Sequence, residues 1–153
     1  MHKNRNFIES FKYAISGFVH ALKNERNLRF HVFVTAAIMF FSYHFGLKKD
    51  EWIMLILAIT FVLVCELVNT AIENAVDTAT KEYSSTAKTA KDVAAGAVLT
   101  AAVSAILVGI ILFFDIPRIT ATIHIILQSP PALAVGAVIL VSGLAFVAFG
   151  GKD

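Results

Sequence analysis

The chain has 153 residues, of which 58% are hydrophobic and 16% charged, and its mean hydropathy is +0.75. A soluble domain of this length cannot bury so much apolar surface, so the composition excludes a soluble protein and indicates an integral membrane protein. The net charge of +2 and the isoelectric point of about 8.8 are explained by membrane topology and anionic lipid, and we expect no nucleic-acid partner.

The first predicted element is an amphipathic helix over residues 7–24. Its apolar residues recur at intervals of three and four: Phe7, Ile8, Phe11, Ile15, Phe18 and Leu22. Polar residues such as Glu9 and Lys12 occupy the remaining positions. Such a stripe is typical of a helix that lies in the cytoplasmic interface of a membrane, or of one that packs against a helical bundle.

Four later segments are long and apolar enough to cross a membrane. They are residues 28–47, 52–76, 93–114 and 132–149. A helix needs roughly 20 residues to cross a hydrocarbon core of about 30 Å. The sequence therefore predicts an all-α integral membrane bundle, with a membrane domain over 1–118 and an extra C-terminal membrane segment over 119–153.

The distribution of lysine and arginine predicts how the spans are oriented. Ten of the 13 lie before the first span, in the connection after the second span, or at the C-terminus. The other three are Lys48, Lys49 and Arg118. Because cytoplasmic segments carry the excess of positive charge, we expect a multi-pass protein of the cell membrane with both termini in the cytoplasm.

The second span carries a polar stripe, which we define as Glu66, Asn69, Glu73 and Asp77. At 100° per residue, these four positions fall within about 80° of arc on one helix face. Carboxylates inside a membrane are costly, so such residues are candidates for a functional site. Glu66 lies roughly 21 Å from the outer end of the span and Glu73 about 31 Å, at the cytoplasmic boundary. This gradient suits a reaction between a water-soluble donor and a lipid headgroup.

Residues 78–92, between the second and third spans, are predicted to form a loop. It ends in Lys91 and Asp92, just before the apolar third span. Asp92 would favour the positive end of a helix dipole, and Lys91 could hold a phosphate as a point charge. Taken alone, a lysine beside a span is also explained as a marker of membrane topology.

Three motifs follow one another along the chain with characteristic spacing. They are Glu25-Arg26-Asn27 followed by Arg29 and His31, the run from Glu66 to Glu73 followed by Asp77, and the run from Ala87 to Val98. Together they resemble the signature of the prokaryotic diacylglycerol kinase family. The resemblance covers roughly residues 7–115, whereas residues 119–153 depart from it, since members of that family normally end soon after the third span.

The resemblance implies a homotrimeric lipid kinase with three family-type spans, which uses ATP and Mg²⁺ to phosphorylate a membrane alcohol in a bacterial plasma membrane. It implies that Glu66 is the general base and that Glu25 and Glu73 are the metal ligands. Catalytic roles also fall to Asn69, Lys91 and Asp92. The positions implied in nucleotide binding are Tyr13, Glu25, Glu73, Asp77, Glu82, Tyr83 and Lys91.

Some of these residues have a simpler explanation. Tyrosines such as Tyr13 and Tyr83 commonly anchor a helix at the membrane interface. Asp77 is also explained as a charged residue at a helix end or in a loop. The five histidines show no spacing typical of metal ligands, so we assign none of them to metal.

The motifs indicate phosphate transfer more clearly than they indicate which lipid alcohol accepts the phosphate. Glu25-Arg26-Asn27 with His31, and Ala94 to Val98, look more like the Gram-positive undecaprenol kinases. Undecaprenol is therefore the predicted acceptor, with diacylglycerol as the alternative. A transporter or proton pathway would also place acids in the bilayer, but it predicts midplane acids, broken helices or an internal repeat. None is apparent in the sequence, so this alternative is the more distant one.

Overall fold

The computed structural model describes residues 7–151, and within that range it contains six helices and no strand. They are α1 (Phe7–Asn24), α2 (Arg26–Phe45), α3 (Lys49–Ala79), α4 (Ser85–Phe113), α5 (Ile116–Gln128) and α6 (Pro130–Phe149). Four of them, α2, α3, α4 and α6, are long and apolar enough to cross a membrane. The predicted all-α membrane bundle, with an N-terminal helix and four spans, is confirmed. The charge count also used Lys3, Arg5 and Lys152, which lie outside the described residues.

A tight turn joins α2 to α3. Gly46 ends α2 in the left-handed conformation, with φ of 72°, and its N–H donates to the carbonyl of Ser42. The carboxylate of Glu51, three residues after Lys48, accepts a 2.6 Å hydrogen bond from the backbone N–H of Lys48, which fixes the start of α3. The short connection makes α2 and α3 antiparallel neighbours.

The predicted loop over residues 78–92 is wrong. α3 continues to Ala79 and α4 begins at Ser85, so the connection comprises only residues 80–84. The Ser84 hydroxyl accepts a hydrogen bond from the N–H of Ala87, which caps α4. The next residues include neither glycine nor proline before Gly96, so nothing interrupts the helix. Lys91 and Asp92 consequently lie inside α4, and Asp92 is not at a helix start.

The longest helix pair is α3 with α4, which run antiparallel along most of their length. α4 buries two alanines seven residues apart, Ala94 and Ala101. Small residues at such positions let two membrane helices approach closely. At the end near the α2–α3 turn, Leu55 and Leu112 are buried in an apolar cluster with Phe45 and Leu47.

The C-terminal segment folds back on α2. α5, which was not predicted as a helix, begins after the Asp115 cap. The Arg118 guanidinium donates to the carbonyls of Phe45 and Gly46 at 3.0 and 2.6 Å and lies 4.2 Å from the centre of the Phe45 ring. Ser129 then caps α6, which begins with two prolines and runs antiparallel to α2.

Candidate functional site

The polar stripe of α3 passes from the interior of the bundle to its surface. Glu66 is 3% exposed and Asn69 is 9% exposed. Glu73 is half-buried, whereas the side chain of Asp77 is 67% exposed. The four residues share one helix face, and their exposure follows the gradient that the sequence predicts. One helix therefore carries both the buried acid Glu66 and acids that are accessible to water.

Glu66 meets an imidazole from the neighbouring helix. His31 of α2 places its Nε2 3.2 Å from Glu66 Oε1, and its side chain is 21% exposed. At this distance the imidazole lies directly against the buried carboxylate, where α2 and α3 meet. His31 belongs to one of the sequence motifs, but no role was predicted for it. The available signal was its place near the start of an apolar span, beside a span that carries an acid.

Asn69 and Glu73 are linked one helical turn apart. The Asn69 amide donates to Glu73 Oε1 at 2.8 Å, which orients that carboxylate. The amide oxygen of Asn69 is buried, and no described residue offers it a hydrogen bond. Amide and carboxylate oxygens are the hard donors that Mg²⁺ prefers. The residues present at this point therefore fit a magnesium ion.

Glu25 brings a third carboxylate to the same region from the junction of α1 and α2. It precedes α2 without capping it through its side chain. Partial burial, and then the negative charges of Glu73 and Glu66, raise the pKa of Glu25 above its ordinary value. Arg29 and His20 act in the opposite direction. Carboxylates close enough to repel one another form a region that a cation would stabilise.

Within residues 7–151, no three acidic, histidine or cysteine side chains approach closely enough to enclose a metal ion by themselves. This agrees with the way proteins usually hold Mg²⁺ at phosphate-binding sites. There the ion takes one or two carboxylates from the protein and completes its octahedron with water and substrate oxygens. Glu25 and Glu73 match that smaller contribution.

The remaining predicted residues lie nearer the surface. Lys91 of α4 forms an ion pair with Asp77 of α3, which ties the two helices together at the wet end of the stripe. Asp92 is exposed. Tyr13 is exposed on α1, and Glu82 and Tyr83 are exposed in the 80–84 connection. Contact of these last three side chains with a nucleotide stays a prediction.

An apolar groove of about 670 Å³ runs between α2, α3 and α4. Its lining begins at His31, Val62 and Leu63, close to Glu66, and continues to Phe41 and Phe113 near the α2–α3 turn. The groove is therefore long, apolar and bounded at one end by the imidazole that contacts the buried acid. Hydrocarbon fits such a surface, and a polar group at its end would lie beside Glu66.

These features define a class of protein, namely a helical membrane protein with a carboxylate site where an apolar groove meets the aqueous phase. Residues 12–113 match the family model for prokaryotic diacylglycerol kinase. The chain belongs to this family. Its identification as a lipid kinase, a family whose phosphate donor is ATP, is confirmed at the family level.

Three relatives show how far the similarity extends. A diacylglycerol kinase of Synechocystis sp. is 41% identical over 105 residues, which cover 68% of this chain and 60% of that protein. An undecaprenol kinase of Bacillus subtilis is 37% identical over 114 residues, which cover 73% and 93% of the two chains. A diacylglycerol kinase of Haemophilus influenzae is 33% identical over 110 residues, covering 71% and 93%. No solved structure matched the chain. The family match ends at Phe113, where α4 ends, so α5 and α6 lie beyond it.

Proposed function

We propose that this protein transfers the γ-phosphate of ATP to the hydroxyl of undecaprenol. The observation that carries the proposal is the buried Glu66, held by His31 at the end of the apolar groove. A lipid lying in that groove would present its alcohol to the only carboxylate of the stripe that is fully shielded from water. Diacylglycerol is the second candidate, because the Synechocystis relative bears that name.

Glu66 acts as the general base. It accepts the hydroxyl proton as the alcohol oxygen forms its bond to the γ-phosphorus, and the bond from that phosphorus to ADP breaks. His31 keeps the carboxylate in one orientation during this step. The acid lies on the helix that also carries the water-exposed carboxylates, so the lipid and the nucleotide can approach from opposite ends of the stripe.

Glu25, Glu73 and the amide oxygen of Asn69 are the groups that would hold Mg²⁺. When bound, the ion neutralises charge on the phosphate oxygens. Lys91 lies where it can exchange its partner Asp77 for a phosphate, adding a second positive charge at the same end of the site.

The lining of the groove favours a polyprenol. A polyprenol carries only hydrocarbon beside its hydroxyl, whereas diacylglycerol carries two ester groups that need polar partners. Near Glu66 the lining is apolar at Val34, Val62 and Leu63, with His31 and Thr35 as its polar members. These residues offer little to an ester.

Competition between the two alcohols tests the proposal. Purified protein in mixed micelles receives equal amounts of undecaprenol and diacylglycerol with Mg²⁺ and radiolabelled ATP, and the labelled lipids are separated. We expect mainly undecaprenyl phosphate. Mainly phosphatidic acid would assign the second candidate, and a lack of labelled lipid would refute the kinase function in either form. The Glu66→Gln protein is the background control.

The topology and the assembly are also part of the proposal. We infer a cell-membrane protein with both termini in the cytoplasm, supported by the excess of lysine and arginine on that side. We infer a homotrimer from the family resemblance. Trypsin treatment of right-side-out and inverted vesicles checks the orientation, and native mass spectrometry of the solubilised protein checks the subunit number.

A further inference from the structure

The C-terminal helix docks on α2 through glycines. Gly136, Gly143 and Gly150 recur at seven-residue intervals along α6 and the turn that follows it. A Cβ atom at Gly136 would lie 3.3 Å from the Phe40 ring, and one at Gly143 would overlap with the Phe33 ring. Any larger residue at Gly143 would push the two helices apart. The glycines therefore fix how α6 lies along α2.

The last described turn of the chain covers an arginine. A Cβ at Gly150 would lie 3.0 Å from Arg29 Cδ. A Cβ at Gly151 would lie 2.9 Å from Arg29 Nη1 and would overlap with the carbonyl oxygen of Lys23. Gly151 also has φ of 101°, a conformation that disfavours other residues. Arg29 is consequently only 7% exposed.

Arg29 holds the end of α1. Its Nη1 donates to the carbonyl of Lys23 at 2.7 Å and to that of Leu22 at 3.2 Å. These carbonyls belong to the last turn of α1, where a cation is favoured by the helix dipole. A residue of α2 thus caps the preceding helix, and the C-terminal turn shields this cap from water.

The capped end lies next to the site. Glu25 follows the last residue of α1, and it is one of the carboxylates whose charges act on one another. Its side chain makes no capping hydrogen bond to α2. The position of Glu25 therefore depends on the backbone on either side, and on one side that backbone is the end of α1.

We infer that α6 and its C-terminal turn form a positioning element for the kinase site. By covering Arg29, Gly150 and Gly151 stabilise the capped end of α1 and so place Glu25 opposite α3. The segment contributes no reactive group, so its removal changes the capture of nucleotide and metal and leaves the chemical step intact. The kinetic part of this inference rests on the proposed function, whereas the effect on α1 can be measured independently.

Gly151→Ala tests the inference, with Gly46→Ala as its matched control. Both glycines have positive φ, at 101° and 72°, so both alanines introduce backbone strain. At Gly46 no described atom lies within 4 Å of the added Cβ, whereas at Gly151 the methyl group meets Arg29 and Lys23. A chain that ends at Phe149 is the second variant, because it retains α6 and removes the covering turn.

Hydrogen exchange of the protein in nanodiscs is the first measurement. We expect amides in the last turn of α1 to exchange about fivefold faster in Gly151→Ala and in the shortened chain, as one local hydrogen bond is weakened. Exchange in α3 should not change, and Gly46→Ala should leave α1 as in the wild type. Equal α1 exchange in the wild type and both test variants would overturn the inference.

Lipid phosphorylation is the second measurement. We expect KM for MgATP to rise about threefold in both test variants while kcat stays within about twofold. A fall in kcat with unchanged KM would overturn the placement of Glu25 by this segment. If the wild type labels no lipid, the proposed function fails, and the exchange comparison still decides whether the C-terminal turn supports α1.

Discussion

The α3–α4 pair and the α5–α6 pair lie beside the same helix, α2, but they differ in what they bury. α3 buries Glu66, Asn69 and Thr70, whereas Ala132 alone is buried in α6, which carries no charged residue. The α3 side contacts α2 through an acid and an imidazole, and the α6 side does so through glycines and phenylalanine rings. The buried carboxylate and amide of α3 mark the chemical face of this bundle, and glycines mark its supporting face.

α2 contacts both helix pairs because the residues that meet them lie on opposite faces of the helix. Relative to His31, Phe33 is rotated by about 200° and Phe40 by about 180°, so the two phenylalanines lie opposite the imidazole. One helix therefore fixes the base on one side and receives the C-terminal segment on the other. The following predictions separate the two faces by their effects on turnover.

The largest effect is expected for Glu66→Gln. The change keeps the shape of the side chain and removes the base, so turnover should fall by about 10² or more with little change in ATP binding. Single-turnover kinetics and nucleotide binding measure the two quantities. Ser142→Ala, which removes a polar side chain from α6, is the control and should keep wild-type turnover. Near-normal turnover in Glu66→Gln would remove Glu66 from the mechanism.

Glu73→Gln should have the next largest effect. It replaces a carboxylate oriented by Asn69 with a neutral amide, so the Mg²⁺ concentration for half-maximal activity should rise about tenfold and the rate should fall. A metal titration of lipid phosphorylation provides the measurement. Asp50→Asn, at the exposed start of α3, is the matched control. An unchanged titration would show that Glu73 is not a ligand.

His31→Gln should lower kcat by roughly fivefold, because Glu66 would lose the imidazole that orients it. KM for ATP should remain the same, since we propose that the nucleotide binds at the other end of the stripe. His44→Gln removes a histidine from the last turn of α2 and serves as the control. If both variants behave alike, the contact between His31 and Glu66 has no role in turnover.

Acidic pH should weaken magnesium binding by a smaller factor. Because burial and neighbouring acids raise the pKa of Glu25, it takes up a proton at a higher pH than an ordinary glutamate, and the proton competes with the metal. The half-saturating Mg²⁺ concentration should therefore rise as the pH falls, and the rise should begin at a higher pH than an ordinary glutamate ligand would cause. Glu25→Gln should bind the metal more weakly at both pH values and show a flatter dependence. An equal slope in both proteins would contradict the assignment.

The smallest effect on turnover is expected for truncation after Arg118, which removes the supporting face. kcat at saturating ATP should stay within about twofold, and we expect less efficient insertion or assembly because α2 loses its contacts with α5 and α6. Activity at saturating ATP, measured on protein shown to be inserted and assembled, provides the check. A truncated protein that is inserted and assembled but inactive would show that the C-terminal segment takes part in the chemistry.

The sequence predicted the spans and the polar stripe because both depend on local periodicity. The pair of His31 and Glu66 could not be predicted this way, since it requires knowing which faces of α2 and α3 meet. The loop over 78–92 was predicted wrongly because its lysines and threonines fit either a loop or a helix. The cap formed by Ser84 starts α4 at Ser85 and so makes most of this segment helical. Likewise, the seven-residue spacing of the α6 glycines indicates close packing without identifying Phe33 and Phe40 as its partners.

The clamp at Arg118 has a consequence for biosynthesis. Arg118 binds the carbonyl of Phe45, 73 residues earlier in the chain, and α6 meets α2 after a still longer separation. The α3–α4 pair joins sequence neighbours, so it can form as soon as both helices leave the ribosome. Contacts of long sequence separation form late. Until they form, the face of α2 that α6 later covers is exposed to lipid and to the insertion machinery. The bundle therefore cannot finish folding in the membrane until α6, its most apolar helix, has been synthesised and inserted.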